Sequence, residues 1–153
     1  MNEIKKNKTL AIVFWILSAA VALIIFILSS DSGEESADLS HGLLAFIVNL
    51  LGNFIDHNTL RKIAHFCEYA ALGFCTGGAL KFTHGRLRFF NPLLICIPYS
   101  VSDEIHQYFV PGRACRLFDV FVDTCGSIVG IAVLIAFLSI IAAILRKKRQ
   151  KQQ

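Results

Sequence analysis

Charged residues are scarce in this chain. Asp, Glu, Lys and Arg make up 17% of its 153 residues, whereas hydrophobic residues make up 55%. A soluble domain is about one quarter charged, so this balance indicates a membrane protein. The same scarcity excludes a disordered acidic or basic protein, and the length leaves no room for a sizeable soluble domain beside the membrane part.

The chain also lacks any recognisable cysteine motif. There is no CxxC pair, and an odd number of cysteines does not fit a disulfide framework. We therefore expect most of the cysteines to be small apolar packing residues. They are Cys67, Cys75, Cys96, Cys115 and Cys125.

The first long uncharged run covers residues 10–28 and follows three lysines. At about 1.5 Å per residue, a helix of this length nearly crosses a hydrocarbon core of about 30 Å. The run is longer than the apolar part of a signal peptide, and no A-x-A cleavage site follows it. We interpret it as a retained transmembrane helix.

Three further apolar stretches complete the expected bundle. Residues 124–145 contain no charge, which is typical of a spanning helix, whereas the two middle stretches are interrupted by ionisable side chains. The fold class predicted is all-α, a single membrane domain over residues 1–153. We expect four transmembrane helices at approximately 10–29, 60–80, 89–109 and 120–145.

The distribution of basic residues predicts the orientation. If both termini and the loop between the second and third spans share one face, that face holds eleven of the fifteen Lys and Arg and a single acid, Glu3. Basic residues in short loops mark the cytoplasmic side, so both termini are predicted to be cytoplasmic. The basic tail at 146–151 is then a topology anchor or a lipid-headgroup contact, and nucleic acid is not expected as a partner.

Residues 39–55, between the first two spans, place apolar side chains at helical spacing with little charge. This pattern favours an amphipathic interfacial helix on the outer membrane surface, or a shallow re-entrant one. A short fifth span would reverse the charge assignment, so we favour the interfacial helix.

Ionisable and polar side chains recur on one face of each later span, near its predicted outer end. An acid or base at membrane depth is disfavoured by about 2.5–3.5 kcal/mol, so such side chains face the protein interior and usually have a function. We therefore predict an outward-facing polar pocket. Its candidate catalytic residues are His65, Glu68, Asp103, Glu104, Asp119 and Asp123, and its candidate substrate-binding residues are Lys62, Tyr69, Gln107 and Arg113.

Two blocks in this region resemble the VanZ-like family of bacterial membrane proteins. They are RKIAHFCEY at residues 61–69 and DEIHQYFVPGR at residues 103–113, and the resemblance extends over about residues 25–130. It implies a multi-pass protein of the bacterial envelope. The family is named for a protein that gives low-level resistance to teicoplanin, and the resemblance does not supply a reaction. The chain departs from the family at Asp123, where Asn is usual, which adds a negative charge.

Each part of the predicted site has a functional and a structural interpretation. The spacing of His65 and Glu68 suits a metal pair or a general base with its carboxylate, but also a hydrogen bond that satisfies a buried imidazole. The carboxylates suit a divalent cation such as Mg²⁺, acids of different pKa, or salt bridges between helices. Lys62 and Arg113 suit a phosphate or carboxylate on a lipid-linked ligand, or lipid headgroups.

Three functions follow from these interpretations. The first is a hydrolase or transferase that acts on an envelope lipid-linked phosphate or sugar, with or without a divalent cation. The second is a protein without turnover that binds or shields a cell-wall precursor or the glycopeptide. A transporter is the weakest, because the chain lacks the inverted repeats and broken midplane helices of that class.

Overall fold

The computed structural model describes residues 6–30, 57–113 and 115–152. This part of the chain forms four α-helices and no strand, which confirms the predicted all-α class. The helices are α1 (Lys8–Ser30), α2 (His57–His84), α3 (Phe90–Tyr108) and α4 (Leu117–Gln150).

The bounds of these helices agree closely with the predicted stretches. The stretches 10–29, 60–80 and 120–145 each lie within a helix. The third, 89–109, is one residue too long at each end, because Phe89 and Phe109 cap α3 and do not belong to it. The interfacial helix predicted for 39–55 lies outside the described residues.

Two of the described helices, α1 and α4, are long and apolar enough to cross a membrane. Both expose large apolar side chains along their length, such as Ile16 of α1 and Phe137 of α4. Soluble proteins seldom expose so much contiguous apolar surface, so these helices indicate membrane association. Because α2 and α3 contain polar and ionisable residues, they are not apolar enough to meet the same criterion. A total of four transmembrane helices therefore stays a prediction.

Successive helices run in opposite directions, so the start of α1 and the end of α4 share one end of the bundle. The backbone N–H of Asn7 donates to the carbonyl of Phe82 at 3.2 Å, which joins the start of α1 to the last turn of α2. Residues from the start of α1 and the end of α4 line a common cavity of about 470 Å³. We call this the terminal end.

The opposite end, which we call the site end, holds the ends of α1 and α3 and the starts of α2 and α4. Here the Nε2 group of Gln107 donates to Ser29 Oγ at 3.3 Å, which joins α3 to α1. A guanidinium nitrogen of Arg61 lies 4.0 Å from Asp119 Oδ2, which joins the starts of α2 and α4.

A tight crossing joins α2 and α4, the pair of helices with the most extensive contact. A Cβ atom added at Gly126 would collide with the backbone oxygen of Phe66, and one added at Gly130 with that of Ala70. Small residues at this spacing allow two helix backbones to approach closely. The crossing fixes the rotation of α4 and therefore the direction of Asp123, one turn before Gly126.

The interior of the bundle changes character along its length. A buried apolar cluster at the terminal end includes Phe82, Leu134 and Leu138. Most of the buried polar and charged side chains lie at the site end, so the bundle there is apolar outside and polar inside. They are Ser29, His65, Ser100, Asp103, Glu104, Gln107, Asp119, Asp123 and Ser127.

The glycine crossing gives a prediction about stability. We expect Gly130→Val to lower the midpoint of thermal unfolding in detergent by about 5 °C or more, because overpacking of about 1–3 kcal/mol forces the two helix backbones apart. The control is Ala132→Val, an exposed position on the same helix. Equal midpoints for the two variants would show that the crossing does not hold the bundle together.

Candidate functional site

His65 of α2 and Asp123 of α4 lie side by side in the polar interior. The Nδ1 atom of His65 is 3.6 Å from Asp123 Oδ1, which is an ion-pair distance but too long for a hydrogen bond. Asp123 is completely buried, and its other oxygen, Oδ2, accepts a hydrogen bond of 2.7 Å from Ser100 Oγ. The acid nearest to the imidazole nitrogen is therefore supplied by another helix, whereas the sequence pattern paired His65 with Glu68.

Asp103 of α3 completes a buried group of three. The Nε2 group of Gln107, one turn later, donates to Asp103 Oδ2 at 3.1 Å. One possible ligand atom each from His65, Asp103 and Asp123 lies within 4.8 Å of the other two. Three helices thus bring an imidazole and two carboxylates together. We call these three residues the His–Asp–Asp cluster.

Two further buried acids contact neighbouring helices beside the cluster. Glu104 of α3 contacts the residue that precedes α4, and Asp119 of α4 contacts α2. The backbone N–H of Arg116 donates to Glu104 Oε2 at 2.7 Å. Asp119 belongs to α4 and forms the long ion pair with Arg61 of α2. For these two acids, the contacts favour a role in holding the helices together at the edge of the cluster.

Six buried side-chain atoms at the site end have no hydrogen-bond partner within the described part of the chain. An unsatisfied buried polar group costs about 1–3 kcal/mol, and more if it is charged. Native proteins keep few such groups, so their concentration in one place indicates a site that binds something. The atoms are His65 Nδ1, Tyr69 Oη, Asp103 Oδ1, Glu104 Oε1, Asp119 Oδ1 and Asp123 Oδ1.

The residues predicted to bind substrate all lie toward the site end, in different settings. Tyr69 is completely buried, with its ring centre 6.2 Å from that of Tyr99. The ammonium group of Lys62 lies 4.7 Å from the centre of the Phe118 ring, a cation–π contact. Gln107 supports the cluster, because its Nε2 group donates to Ser29 of α1 and to Asp103 of its own helix.

Arg113 and Glu68 are half-buried and lie beside the cluster. Arg113 follows Gly112, whose φ of +77° reverses the chain after α3. A guanidinium nitrogen of Arg113 then donates to the backbone oxygen of Leu28 at 2.9 Å. Glu68 interacts electrostatically with both Arg113 and His65. These two predicted residues are therefore brought together with the cluster.

Two residues outside the predicted set position the cluster. Ser100 donates to Asp123, and Ser29 accepts from Gln107. The signal for Ser100 was present, since it lies three residues before Asp103 on the same helix face. For Ser29, helical spacing gave no such signal, because spacing does not distinguish it from its neighbour Ser30.

Chemically, the site end combines a base, several acids and several cations in one polar interior. An imidazole beside a carboxylate can accept a proton from a substrate or from water. The same groups are ligands for divalent cations. The guanidinium groups of Arg61 and Arg113 suit an anionic ligand. The arrangement therefore favours polar or anionic ligands over apolar ones.

The fold and this interior are those of a helical protein, associated with a membrane, that carries an ionisable cluster at one end of its bundle. A family model described as VanZ/LLP1 matches residues 14–141, and the chain belongs to this VanZ-like family. The matched range includes every residue of the predicted site. Searches among curated proteins and among solved structures found no match.

Proposed function

We propose that the chain is a multi-pass protein of the cell membrane, in which all four helices cross the bilayer and both termini are cytoplasmic. Like α1 and α4, the other two helices expose large apolar side chains, among them Ile63 of α2 and Leu94 and Ile105 of α3. A bilayer would cover these surfaces. The proposed single domain extends over residues 1–153.

The orientation rests on charge. Most of the Lys and Arg residues belong to the terminal end, where short basic segments flank the helices. Basic segments of this kind stay in the cytoplasm, so the site end faces outward. His65 lies eight residues into α2, or about 12 Å along the helix axis, and the His–Asp–Asp cluster is therefore in the outer leaflet.

The proposed function is action on an envelope lipid-linked phosphate or sugar at this outer face. The observation that carries it is the convergence, in the His–Asp–Asp cluster, of buried atoms that have no hydrogen-bond partner among the residues described. A fold retains such groups where a ligand completes their interactions, and ionisable groups kept at membrane depth are usually functional. The adjacent guanidinium groups favour phosphate as the recognised group.

For a phosphate substrate the chemistry is hydrolysis. His65 accepts a proton from water, the water oxygen bonds to phosphorus, and the bond from phosphorus to the leaving oxygen breaks. A carboxyl group of the site donates a proton to that leaving oxygen. Lys62 and Arg113 stabilise the negative charge of the phosphate. Asp103, Asp123 and Glu68 orient the imidazole and balance its positive charge.

A second candidate function is binding without turnover. The buried atoms of the His–Asp–Asp cluster that lack a hydrogen-bond partner among the described residues could bind a polar headgroup whether or not a reaction follows. In this alternative the protein holds a cell-wall precursor, or the glycopeptide itself, and changes susceptibility to teicoplanin-type antibiotics by shielding.

The proposed topology can be tested with cysteine labelling. A variant that keeps only Cys115, which is exposed before the start of α4, should react with a membrane-impermeant maleimide in intact cells. A second variant, whose single thiol is introduced by Gln152→Cys, should react only after permeabilisation. The reverse pattern would put the site end in the cytoplasm and contradict the proposal.

The proposed activity can be tested with purified protein and ³²P-labelled envelope lipids. We expect release of labelled phosphate, and a loss of about 10²–10⁴-fold in rate for His65→Gln, because a general base contributes a factor of that size. The matched control is His106→Gln. His106 pairs with Ser30 at 3.0 Å and stacks on Phe26, away from the cluster, so its loss should leave the rate unchanged.

The same assay with purified protein and labelled lipids distinguishes the two candidate functions. Stoichiometric retention of a labelled lipid without release supports the binding protein, and turnover supports the enzyme. In cells, His65→Ala, Asp103→Asn and Arg113→Ala should each change glycopeptide susceptibility at equal protein level. If all three variants behave like the wild type and no labelled lipid is released or retained, both functions are wrong.

A further inference from the structure

The His–Asp–Asp cluster has the dimensions of a metal site. Two ligands of one ion, each about 2.0–2.2 Å from it, lie about 2.8–3.1 Å apart at octahedral angles and about 3.3–3.6 Å apart at tetrahedral angles. The separation of 3.6 Å between His65 Nδ1 and Asp123 Oδ1 is of this size. The third member, Asp103, offers a ligand atom within 4.8 Å of the others, so a small side-chain adjustment brings all three onto one ion.

The hydrogen bonds around the cluster point to the same conclusion. Each carboxylate has one oxygen held by a donor: Asp123 Oδ2 by Ser100, and Asp103 Oδ2 by Gln107. The second oxygen of each, and His65 Nδ1, are without a hydrogen-bond partner among the described residues. The two acids are only 0% and 4% exposed. Metal ligands are typically oriented in this way by neighbouring donors, which leave one atom available for the ion.

An ion pair between His65 and Asp123 does not account for the whole arrangement. It leaves Asp103 Oδ1 buried without a hydrogen-bond partner in the described part of the chain, and it places two atoms 3.6 Å apart where a hydrogen bond would bring them closer. A cation shared by the three residues provides a partner for all three atoms at once.

We infer that His65, Asp103 and Asp123 bind one divalent first-row transition-metal ion, of which Mn²⁺ and Zn²⁺ are representatives. Two carboxylates and a neutral imidazole balance a charge of 2+. The mixed nitrogen and oxygen ligands suit such an ion better than Ca²⁺, which takes six to eight oxygens. Three protein ligands leave coordination positions for water or for a ligand oxygen.

This inference deepens the proposed function. It rests on that function only for the identity of the ligand whose oxygen would occupy the remaining coordination positions of the ion. A neutral imidazole bound to the ion through Nδ1 carries its proton on Nε2, so with the ion in place a carboxylate of the site, and not His65, would accept the proton from water. The ion would supply Lewis-acid stabilisation to a bound phosphate oxygen. Binding of the ion itself is measured without any substrate. Metal binding without turnover would therefore refute the enzyme and leave the metal site standing, whereas turnover that EDTA does not affect, without metal binding, would refute the metal site alone.

The experiment uses the full-length protein in detergent, stripped with EDTA and titrated with Mn²⁺. We expect one Mn²⁺ per chain by electron paramagnetic resonance and equilibrium dialysis. Asp103→Asn, Asp123→Asn and His65→Gln should each weaken binding by about tenfold or more, the scale on which loss of even a supporting group acts at metal sites. His106→Gln, an imidazole outside the cluster, and Ala132→Val, at an exposed position of α4, are the controls and should bind like the wild type.

Two further readouts use the unaltered protein and do not depend on any variant folding. Electron spin-echo modulation of bound Mn²⁺ should show one coordinated ¹⁴N nucleus, from His65, and Ca²⁺ should not displace Mn²⁺ at equal concentration. Failure of the wild type to bind Mn²⁺ more tightly than Asp123→Asn would overturn the inference. Absence of the ¹⁴N signal, equal losses in the controls, or displacement by Ca²⁺ would overturn it as well.

Discussion

The burial of ionisable side chains inside an apolar bundle is the constraint on which the rest of the structure depends. The outer surfaces of the helices are apolar, so polar groups at the site end must turn inward and find their partners there. Each of three helices supplies one member of the His–Asp–Asp cluster, and the helices must therefore stay in register. The hydrogen bond from Ser100 to Asp123 and the close contact of Gly126 with Phe66 provide that register.

Helical periodicity indicated which residues share a face, because positions three and four apart lie on the same side of a helix. Their distance from the ends of the predicted spans placed the ten candidates toward one end of the bundle, and their functions stay predictions. Periodicity could not predict contacts between helices. The pattern paired His65 with Glu68 on the same helix, but the nearest carboxylate is that of Asp123. That contact depends on the rotation of α4, which follows from how Gly126 packs on Phe66 and not from local spacing.

The residues of the site also explain why two of the four predicted membrane spans are easier to recognise from the sequence than the other two. Most of the ionisable residues of the site lie on α2 and α3 and keep these helices from qualifying as spans, whereas Asp119 and Asp123 lie in the first two turns of α4 and leave a long apolar stretch after them. A helix that carries a site therefore gives a weaker span signal, although its other face exposes residues such as Leu94 to the exterior. Composition measures the whole helix, whereas the membrane contacts only one face of it.

The central claim is that the cluster holds buried charge that the described residues do not fully compensate. Thermal unfolding in detergent with EDTA tests it most directly. Asp123→Asn, which removes a buried charge and keeps an acceptor for Ser100, should raise the unfolding midpoint. Ser100→Ala should lower it by several degrees, because it removes a hydrogen bond to a charged group worth about 1.5–3 kcal/mol. If Asp123→Asn lowers the midpoint as much as Ser100→Ala does, the carboxylate is a stabilising structural group and the claim is wrong.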